Sequence, residues 1–367
     1  MMRNFNRFII SRLSLLILIG ICIYLPQIQA ATSLKEALFY EKLKDYLLQC
    51  RLCPRNCLIN DGKRGFCGVR ENRKGVLYTL SYAKPVAIHI DPIEKKPLFH
   101  FLPGSKAFSI ATAGCNLRCK FCQNWEISQM LPEEVNFVYL EPEALIKKVK
   151  ESGCSVIAYT YSEPTIFYEY MLEIAKAARK EGIKNVMHSS GYINEEPLRQ
   201  LCKYLDAANI DLKGFSNEFY SKVSEATLEP VLNTLKVLKQ EGVHLEITNL
   251  IVPGYNDSQD MLIKMCIWIK ENLGSETPVH FSRFYPMYKL LALNPTPVET
   301  LESARKIAVD CGLKYVYIGN IPGHTYENTY CPRCKKMLIE RKGYFVSVNS
   351  IVDGKCKFCG EKIDGVW

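Results

Sequence analysis

The chain has 367 residues, a net charge of +9, and 48% hydrophobic and 23% charged residues. This composition is typical of a globular protein and excludes a largely disordered chain. The modest basic excess is spread along the sequence, which favours a mixed-charge surface over a nucleic-acid groove. The unusual feature is a count of 16 cysteines. Eleven of them fall into three groups, and the rest are expected to be small core side chains.

Residues 1–32 form a hydrophobic leader with a basic start, an apolar run over residues 13–25 and a small-residue exit at Ala30. It has the shape of a secretory signal and is short for a membrane span. Three interpretations stay open: a cleaved signal, a membrane anchor through residues 8–25, or a start that was set upstream of the true domain.

Residues 33–104 are predicted to hold a helix followed by a first metal-binding segment. The stretch SLKEALFYEKLKDYLL has apolar residues at helical spacing. Four cysteines then follow in a polar, glycine-containing stretch that is unlike core packing: Cys50, Cys53, Cys57 and Cys67. Zinc and an iron–sulfur cluster both suit four thiolates, and the spacing alone does not decide between them.

Residues 105–325 alternate short β-type runs with longer amphipathic helical runs. The predicted strands are AFSIAT, SVIAYT, IKNVMH, LDAANID, VHLEITNLIV, PVHFSRF and LKYVYIG. Such alternation predicts an α/β fold with a parallel sheet and right-handed crossovers. Since no strand is followed by a G-x-G-x-x-G fingerprint, a full or partial (β/α) barrel is favoured over a doubly wound sheet. Its chemistry is then expected at the carboxyl ends of the strands.

Three cysteines directly follow the first of these strands, in AGCNLRCKFCQNW: Cys115, Cys119 and Cys122. Gly114 allows a sharp turn there. A [4Fe–4S] cluster normally takes four thiolates, so three leave one iron open to another ligand. The alternative is a zinc ion completed by a distant histidine, which is disfavoured because structural zinc sites are closed and tetrahedral.

Residues 326–367 form a short tail with four further cysteines: Cys331, Cys334, Cys356 and Cys359. Two C-x2-C pairs separated by a hairpin place four thiolates tetrahedrally, as in zinc ribbons and rubredoxins. Zinc is favoured over iron, with a structural role.

The C-x3-C-x2-C loop, with an aromatic residue before its last cysteine, resembles the cluster motif of the radical S-adenosylmethionine (SAM) enzymes. A narrower resemblance is to the radical SAM protein of the AmmeMemoRadiSam system. It is carried by segments that follow one another in a fixed order along the chain: DPIEKKPLFHFLPGS, YSEPTIFYEY, HFSRFYPMYKL and GNIPGHTYENTYCPRC. That family is related to the pyruvate formate-lyase activating enzymes. The resemblance runs from about residue 33 to residue 367. It implies a partial TIM-like barrel of radical SAM type, with a cysteine-rich segment before it and a zinc-ribbon-like tail after it.

The resemblance also implies cofactors and partners. SAM would bind the open iron of a [4Fe–4S] cluster and be cleaved reductively to methionine and a 5′-deoxyadenosyl radical, which abstracts a hydrogen atom from an unidentified substrate. The expected partners are an electron donor such as a flavodoxin or ferredoxin, together with Memo-like and AMMECR-like proteins. Two alternatives stay open: a glycyl-radical enzyme activase with a protein substrate, and a non-enzymatic iron–sulfur or zinc module.

Five SAM-binding residues follow from the resemblance. Glu163 would hold the SAM ammonium, and Ser190 stands in the loop that approaches the ribose, where relatives often carry asparagine. Asp211 and Lys213 would lie near the SAM carboxylate, and Asn249 near the adenine or the carboxylate. Structural alternatives stay open, namely a helix cap for Glu163 and an ordinary strand-end ion pair for Asp211 and Lys213.

The leader and the cluster give conflicting indications about location. An oxygen-sensitive cluster is normally loaded in the reducing cytoplasm, whereas the leader resembles an export signal. We expect the catalytic domain to face the cytoplasm, with the leader as a membrane anchor among the open interpretations.

Overall fold

A computed structural model describes residues 34–367, and the first part of this range consists of short antiparallel strands. They are β1 (Lys35–Glu36), β2 (Tyr40–Lys42), β3 (Leu48–Cys50), β4 (Leu58–Ile59), β5 (Arg70–Arg73) and β6 (Val76–Thr79). They form two three-stranded sheets, in the orders β1–β6–β5 and β2–β3–β4. The leader predicted for residues 1–32 lies outside the described residues.

The helix predicted at the start of the N-terminal segment is wrong. Positive φ angles at Phe39 (54°) and Asp45 (57°) bend the chain out of a helical path, and only a 3₁₀ turn remains at Lys44–Tyr46. The flanking residues pair as strands β1, β2 and β3. Leu38 and Leu43 stay exposed, so the apolar spacing is not a buried helix face. Strand pairing therefore overrides local periodicity here.

The centre of the protein is an eight-stranded sheet. Its strands are β7 (Ala87–Pro92), β8 (Lys106–Ala111), β9 (Val156–Tyr159), β10 (Lys184–Ser189), β11 (Ala207–Asp211), β12 (His244–Ile251), β13 (Val279–Arg283) and β14 (Val316–Gly319). Strands β8 to β14 are parallel and lie in chain order, while β7 pairs antiparallel with β8 at one edge. The predicted parallel sheet is confirmed, and β7 is the strand that the sequence did not predict. Parallel strands that lie side by side in chain order form the wall of a barrel, whereas the strand order of a doubly wound sheet reverses at one point.

Helices connect the parallel strands, and each of the long helices buries one of its own faces. They are α1 (Trp125–Ser128), α2 (Pro142–Ser152), α3 (Tyr168–Lys180), α4 (Glu195–Cys202), α5 (Asn217–Phe219), α6 (Glu229–Gln240), α7 (Gln259–Leu273) and α8 (Val298–Asp310). Gly153 ends α2 with a φ of 69°, and Ser258 caps α7 by accepting a hydrogen bond from the Met261 amide. Within residues 34–367, no helix has both the length and the apolar character needed to cross a bilayer.

A buried carboxylate fixes the segment of Phe99 and His100 against the sheet, and we call this segment the floor. Glu246 of β12 is fully buried and accepts hydrogen bonds from the backbone amides of Phe99 (3.0 Å) and His100 (2.7 Å). His244 Nε2 and His280 Nε2 lie 3.1 and 2.7 Å from the same carboxylate. Burial raises the pKa of Glu246, but the two histidines outweigh it and hold that pKa well below its usual range. The segment that carries Phe99 and His100, between β7 and β8, is thereby fixed across the sheet.

The C-terminal tail is a small β unit that packs on this floor. Its strands are β15 (Thr329–Tyr330), β16 (Met337–Lys342), β17 (Phe345–Asn349), β18 (Ile351–Val352) and β19 (Lys355–Cys356). Leu338 and Ile339 of the tail form a buried apolar cluster with Phe99 of the floor and Tyr317 of β14. The tail thus covers the edge strand β14.

Arg341 is the main polar anchor of the tail. Only 2% of its surface is exposed, and its guanidinium donates to the Phe99 carbonyl and to the Thr329 hydroxyl, both at 2.8 Å. Its Nε lies 3.8 Å from the buried carboxylate of Glu94. Arg341 therefore joins the tail to the floor and offsets a buried negative charge.

We expect Arg341→Met to destabilise the protein by about 3–5 kcal/mol, because it leaves the Glu94 carboxylate buried without its cation. The measurement is the urea unfolding midpoint followed by tryptophan fluorescence, to which Trp367 of the tail contributes. The control is Arg333→Met: that side chain is 69% exposed and lies 3.9 Å from Glu361, so its loss should change stability by less than about 1 kcal/mol. Equal effects of the two variants would contradict the anchoring role.

Candidate active site at the carboxyl ends of the strands

A cavity of about 430 Å³ lies at the carboxyl ends of the parallel strands. Each strand from β8 to β14, or the loop directly after it, contributes residues to the cavity wall, among them Cys115, Ser162, Glu163, His188, Ser190, Asp211, Lys213, Thr248, Leu250, His280, Ser282 and Asn320. The volume is that of a site for a cofactor-sized molecule. The cavity lies at the end of the sheet where the sequence predicted the chemistry, and that the chemistry takes place there stays a prediction.

The three-cysteine loop depends on the glycine that precedes it. Gly114 has a φ of 97°, and a Cβ atom there would lie 2.6 Å from Val69 Cγ1 and 2.9 Å from the Cys67 carbonyl oxygen. Only glycine therefore allows the loop to leave β8 at this angle and pass close to the N-terminal segment.

The sulfur atoms of the loop face the cavity and have few partners. The Leu117 amide donates to Cys115 Sγ at 3.3 Å, and Cys119 Sγ lies 3.4 Å from the Ser224 hydroxyl. Burial raises the pKa of Cys115 well above its usual value, and it also raises the pKa of Cys119, although Lys213 opposes the latter shift. A bound metal centre would supply the positive charge that the thiolate forms need.

Glu163 is held by the loops after β9 and β10. It is 3% exposed, and one carboxylate oxygen accepts from the Thr165 amide (3.1 Å) and the Ser189 hydroxyl (2.6 Å). The other oxygen accepts from the Ser190 amide at 2.9 Å and from the Ser190 hydroxyl. Glu163 is thus a helix cap that also lines the cavity, and Ser190 orients this carboxylate.

Asp211 and Lys213 form an ion pair on the cavity wall. Lys213 Nζ donates to Asp211 Oδ2 at 2.7 Å, and His188 Nε2 lies 3.0 Å from Asp211 Oδ1. Burial raises the pKa of Asp211, but Lys213 and His188 outweigh it and hold that pKa below its usual range. Burial lowers the pKa of Lys213, and the Asp211 charge raises it above its usual value. Both groups therefore stay charged at neutral pH.

The structure places Asn249 outside the cavity lining. Its side chain is buried and donates to the Leu212 carbonyl at 2.7 Å. Its neighbours Thr248 and Leu250 line the cavity instead, because successive side chains of a strand point to opposite faces. Sequence reasoning also missed His188, whose position at the end of β10 is the same signal that identified the other strand-end residues.

The C-terminal cysteines are arranged for a single metal ion. Cys331 Sγ lies 3.6 Å from Cys359 Sγ, and Cys334 Sγ lies 3.7 Å from Cys356 Sγ. All four sulfurs are within 4.8 Å of one another. Sulfurs at about 2.3 Å from a tetrahedral zinc ion stand about 3.8 Å apart. The distances agree with one ion of this kind.

The cavity residues also fit a cluster and a polar ligand. Cys115, Cys119 and Cys122 supply three sulfurs on one wall. The Ser162 hydroxyl is buried on the cavity wall and has no hydrogen-bond partner among the described residues. A buried hydroxyl of this kind is usually satisfied by a partner, so it marks a position where a ligand atom can bind.

Comparisons with known proteins identify a family model and relatives that match this chain. The model of the Radical SAM superfamily matches residues 109–266, from β8 into α7. An uncharacterised protein of Methanocaldococcus jannaschii is 53% identical over 333 residues, which are 90% of this chain and 99% of that protein. The pyruvate formate-lyase 1-activating enzyme of Escherichia coli K12 is 22% identical over 220 residues, or 56% of this chain and 89% of that enzyme.

Among solved structures, a radical SAM methyltransferase from Sphaerobacter thermophilus superposes with a TM-score of 0.47 at 14% identity. The superposition covers 60% of this chain and 68% of that one.

We expect Gly114→Ala to lower the iron content of anaerobically reconstituted protein by about half or more, because the new methyl group displaces the cysteine loop from β8. The control is Gly153→Ala, since Gly153 also has a positive φ (69°) but a Cβ atom there would meet no atom within 4 Å. That variant should keep its iron and lose about 1 kcal/mol of stability. Normal iron incorporation by Gly114→Ala would contradict the role of this turn.

Proposed function

The chain belongs to the radical SAM superfamily of iron–sulfur, SAM-dependent enzymes, and from this premise we propose that its cavity is the site of reductive SAM cleavage. Cys115, Cys119 and Cys122 would bind a [4Fe–4S] cluster at three of its irons. The observation that carries the proposal is that these three sulfurs and the buried carboxylate of Glu163 line one cavity.

When bound, the reduced cluster would supply one electron to the sulfonium of SAM, and the cleavage would give methionine and a 5′-deoxyadenosyl radical able to take a hydrogen atom from a substrate. A low-potential flavodoxin or ferredoxin is the proposed source of that electron.

Glu163 is oriented to receive a cationic group. Ser189 and Ser190 hold its carboxylate in place, and the unpartnered Ser162 hydroxyl lies on the same wall. We assign Glu163 to the SAM ammonium, with Ser190 positioning that carboxylate through two hydrogen bonds. The structural role of Glu163 as a cap serves the same end, because it fixes the carboxylate before the ligand arrives.

Lys213 supplies the complementary positive charge. Lys213 lines the cavity, and its ammonium donates to Asp211, which His188 contacts from the other carboxylate oxygen. We assign Lys213 to the SAM carboxylate, with Asp211 setting its position. Asn249 is given no contact in this assignment, because its side-chain amide donates to the Leu212 carbonyl and the residue does not line the cavity.

Two finer assignments belong to this proposal. The order of the motifs supports a radical SAM protein of the AmmeMemoRadiSam type that works with Memo-like and AMMECR-like proteins. The similarity to the pyruvate formate-lyase 1-activating enzyme of E. coli supports a second candidate, an activase that acts on a glycine of a partner enzyme. Substrate labelling distinguishes them: an activase transfers a hydrogen atom from a glycine of the protein backbone to the 5′-deoxyadenosyl radical, which gives labelled 5′-deoxyadenosine and leaves a glycyl radical that is visible by EPR.

We expect Cys119→Ala to abolish formation of 5′-deoxyadenosine from SAM under a strong reductant, because one cluster ligand is lost. The measurement is chromatography of the products after anaerobic reconstitution. Cys154→Ala is the matched control, since Cys154 is a buried cysteine outside the three groups. It should keep most of the activity. If Cys119→Ala produced 5′-deoxyadenosine at the normal rate, the proposed function would be wrong.

A further inference from the structure

The N-terminal cysteines surround an internal cavity of their own. Cys50 ends β3, Cys53 and Cys57 lie in the turn before β4, and Cys67 precedes β5. All four line a small cavity of about 20 Å³, together with apolar side chains such as Ile59. A cavity of this size holds about one water-sized sphere. The short strands therefore arrange four sulfurs around a space instead of packing them against one another.

We propose that Cys50, Cys53, Cys57 and Cys67 bind a second [4Fe–4S] cluster, with every iron bound to a thiolate, and not a zinc ion. The proposal concerns the metal of this segment and holds whether or not the larger cavity cleaves SAM.

The spacing of the sulfurs separates the two kinds of centre. Four thiolates on one zinc ion stand about 3.8 Å apart, because each lies about 2.3 Å from the same point. In a [4Fe–4S] cluster each thiolate binds a different iron, so the sulfurs are spread further. Within residues 34–367, the group of three or more potential metal ligands with all donor atoms inside 4.8 Å is the C-terminal one. The N-terminal cysteines lack this compact arrangement in the same structure.

The loop of Cys115, Cys119 and Cys122 gives an internal comparison. Among the described residues it also falls outside the compact group, and it is the loop that lies inside the radical SAM match. In both sets the sulfurs therefore fail to come together within 4.8 Å of one another, which differs from the single-ion geometry of the tail.

The surroundings suit a buried anionic cluster. The Phe66 amide donates to Cys57 Sγ at 3.4 Å, and Arg70 Nη1 donates to Cys50 Sγ at 3.3 Å. Arg70 is 1% exposed and is held by an ion pair with Glu169 of α3. Hydrogen bonds from N–H groups to cluster sulfurs stabilise the added negative charge of the reduced state.

The two cavities share a wall. Cys115 and Leu117 line the large cavity, while Asn116 between them lines the small one. Likewise Glu163 lines the large cavity and Thr165 the small one. A single backbone segment therefore separates the two centres. The second cluster would give an electron from a flavodoxin or ferredoxin a short path to the SAM-binding cluster.

Hydrogen bonds from both sides hold this shared wall in place. Arg55 Nε donates to the Asn116 carbonyl at 3.0 Å, and the Asn116 side chain donates to the Tyr192 carbonyl at 2.7 Å. Thr165 donates from its amide and its hydroxyl to Glu163, at 3.1 and 2.8 Å. Segments from the N-terminal region and the sheet thus hold the two sets of cysteines in a fixed relation.

The test removes the three cysteine ligands of the SAM-binding cluster and measures the iron and sulfide that the chain still binds. The full chain with Cys115→Ala, Cys119→Ala and Cys122→Ala is reconstituted anaerobically with iron and sulfide. We expect it to keep about four iron and four sulfide ions per chain. After reduction it should give a [4Fe–4S] EPR signal that SAM does not change, because no iron is open. A protein with about two zinc ions and no sulfide would overturn the proposal.

A reciprocal variant provides the second measurement. Cys53→Ala with Cys57→Ala should lower the iron content of the otherwise unchanged chain by about half, from about eight ions. Cys202→Ala is the control, since Cys202 is a buried cysteine outside the groups, and it should leave the iron content unchanged. If the reciprocal variant fails to fold, the triple variant alone decides, since it keeps the N-terminal set intact. Loss of the SAM response in the wild-type chain would contradict only the proposed function.

Discussion

The buried carboxylate of Glu246 is the constraint on which the rest of the structure depends. A buried charge costs several kcal/mol unless it is paired and fully hydrogen-bonded, and this one has donors from β12, from β13 and from the segment before β8. Phe99 and His280, which donate to it, also line the large cavity. Since the tail packs on the same Phe99, the floor of the cavity and the position of the tail are both consequences of satisfying one carboxylate.

The charged groups of the candidate site are fixed before any ligand binds. Glu163 is held between Ser189 and Ser190, and Asp211 between His188 and Lys213. Each carboxylate is held by hydrogen bonds on the cavity wall, and although burial raises the pKa of Asp211, Lys213 and His188 hold that pKa below its usual range. Such an arrangement favours a zwitterionic ligand, because it presents a carboxylate and an ammonium at separate places on one wall without further reorganisation.

The three sets of cysteines differ in what surrounds them more than in their spacing along the chain. The tail brings its sulfurs close together. The loop after β8 spreads three sulfurs on the wall of a large cavity, and the N-terminal segment arranges four around a small enclosed one. The same side chain thus suits a single ion, a cluster with an open iron, or a closed cluster, and the distance between sulfurs decides which.

Much of the fold was predictable because its signals are local. Strands β8 to β14 and the helices between them follow from short apolar runs and 3.6-residue periodicity, and the cysteine groups follow from spacing along the chain. The N-terminal helix failed because residues 34–50 gain more from pairing with neighbouring strands than from a helix with an exposed apolar face. Strand β7 was missed because its irregular pattern becomes a strand only beside β8.

The sequence by itself determined the class of chemistry: three thiols after a strand, with polar residues after the strands that follow. Only the tertiary structure decided which side chains meet. It turned Asn249 away from the cavity and Thr248 toward it, because a strand alternates its faces and its register is set by its neighbours. It bound Ser190 to Glu163, and it separated the wide sulfur sets from the compact one. These outcomes depend on contacts between distant parts of the chain, which no local pattern specifies.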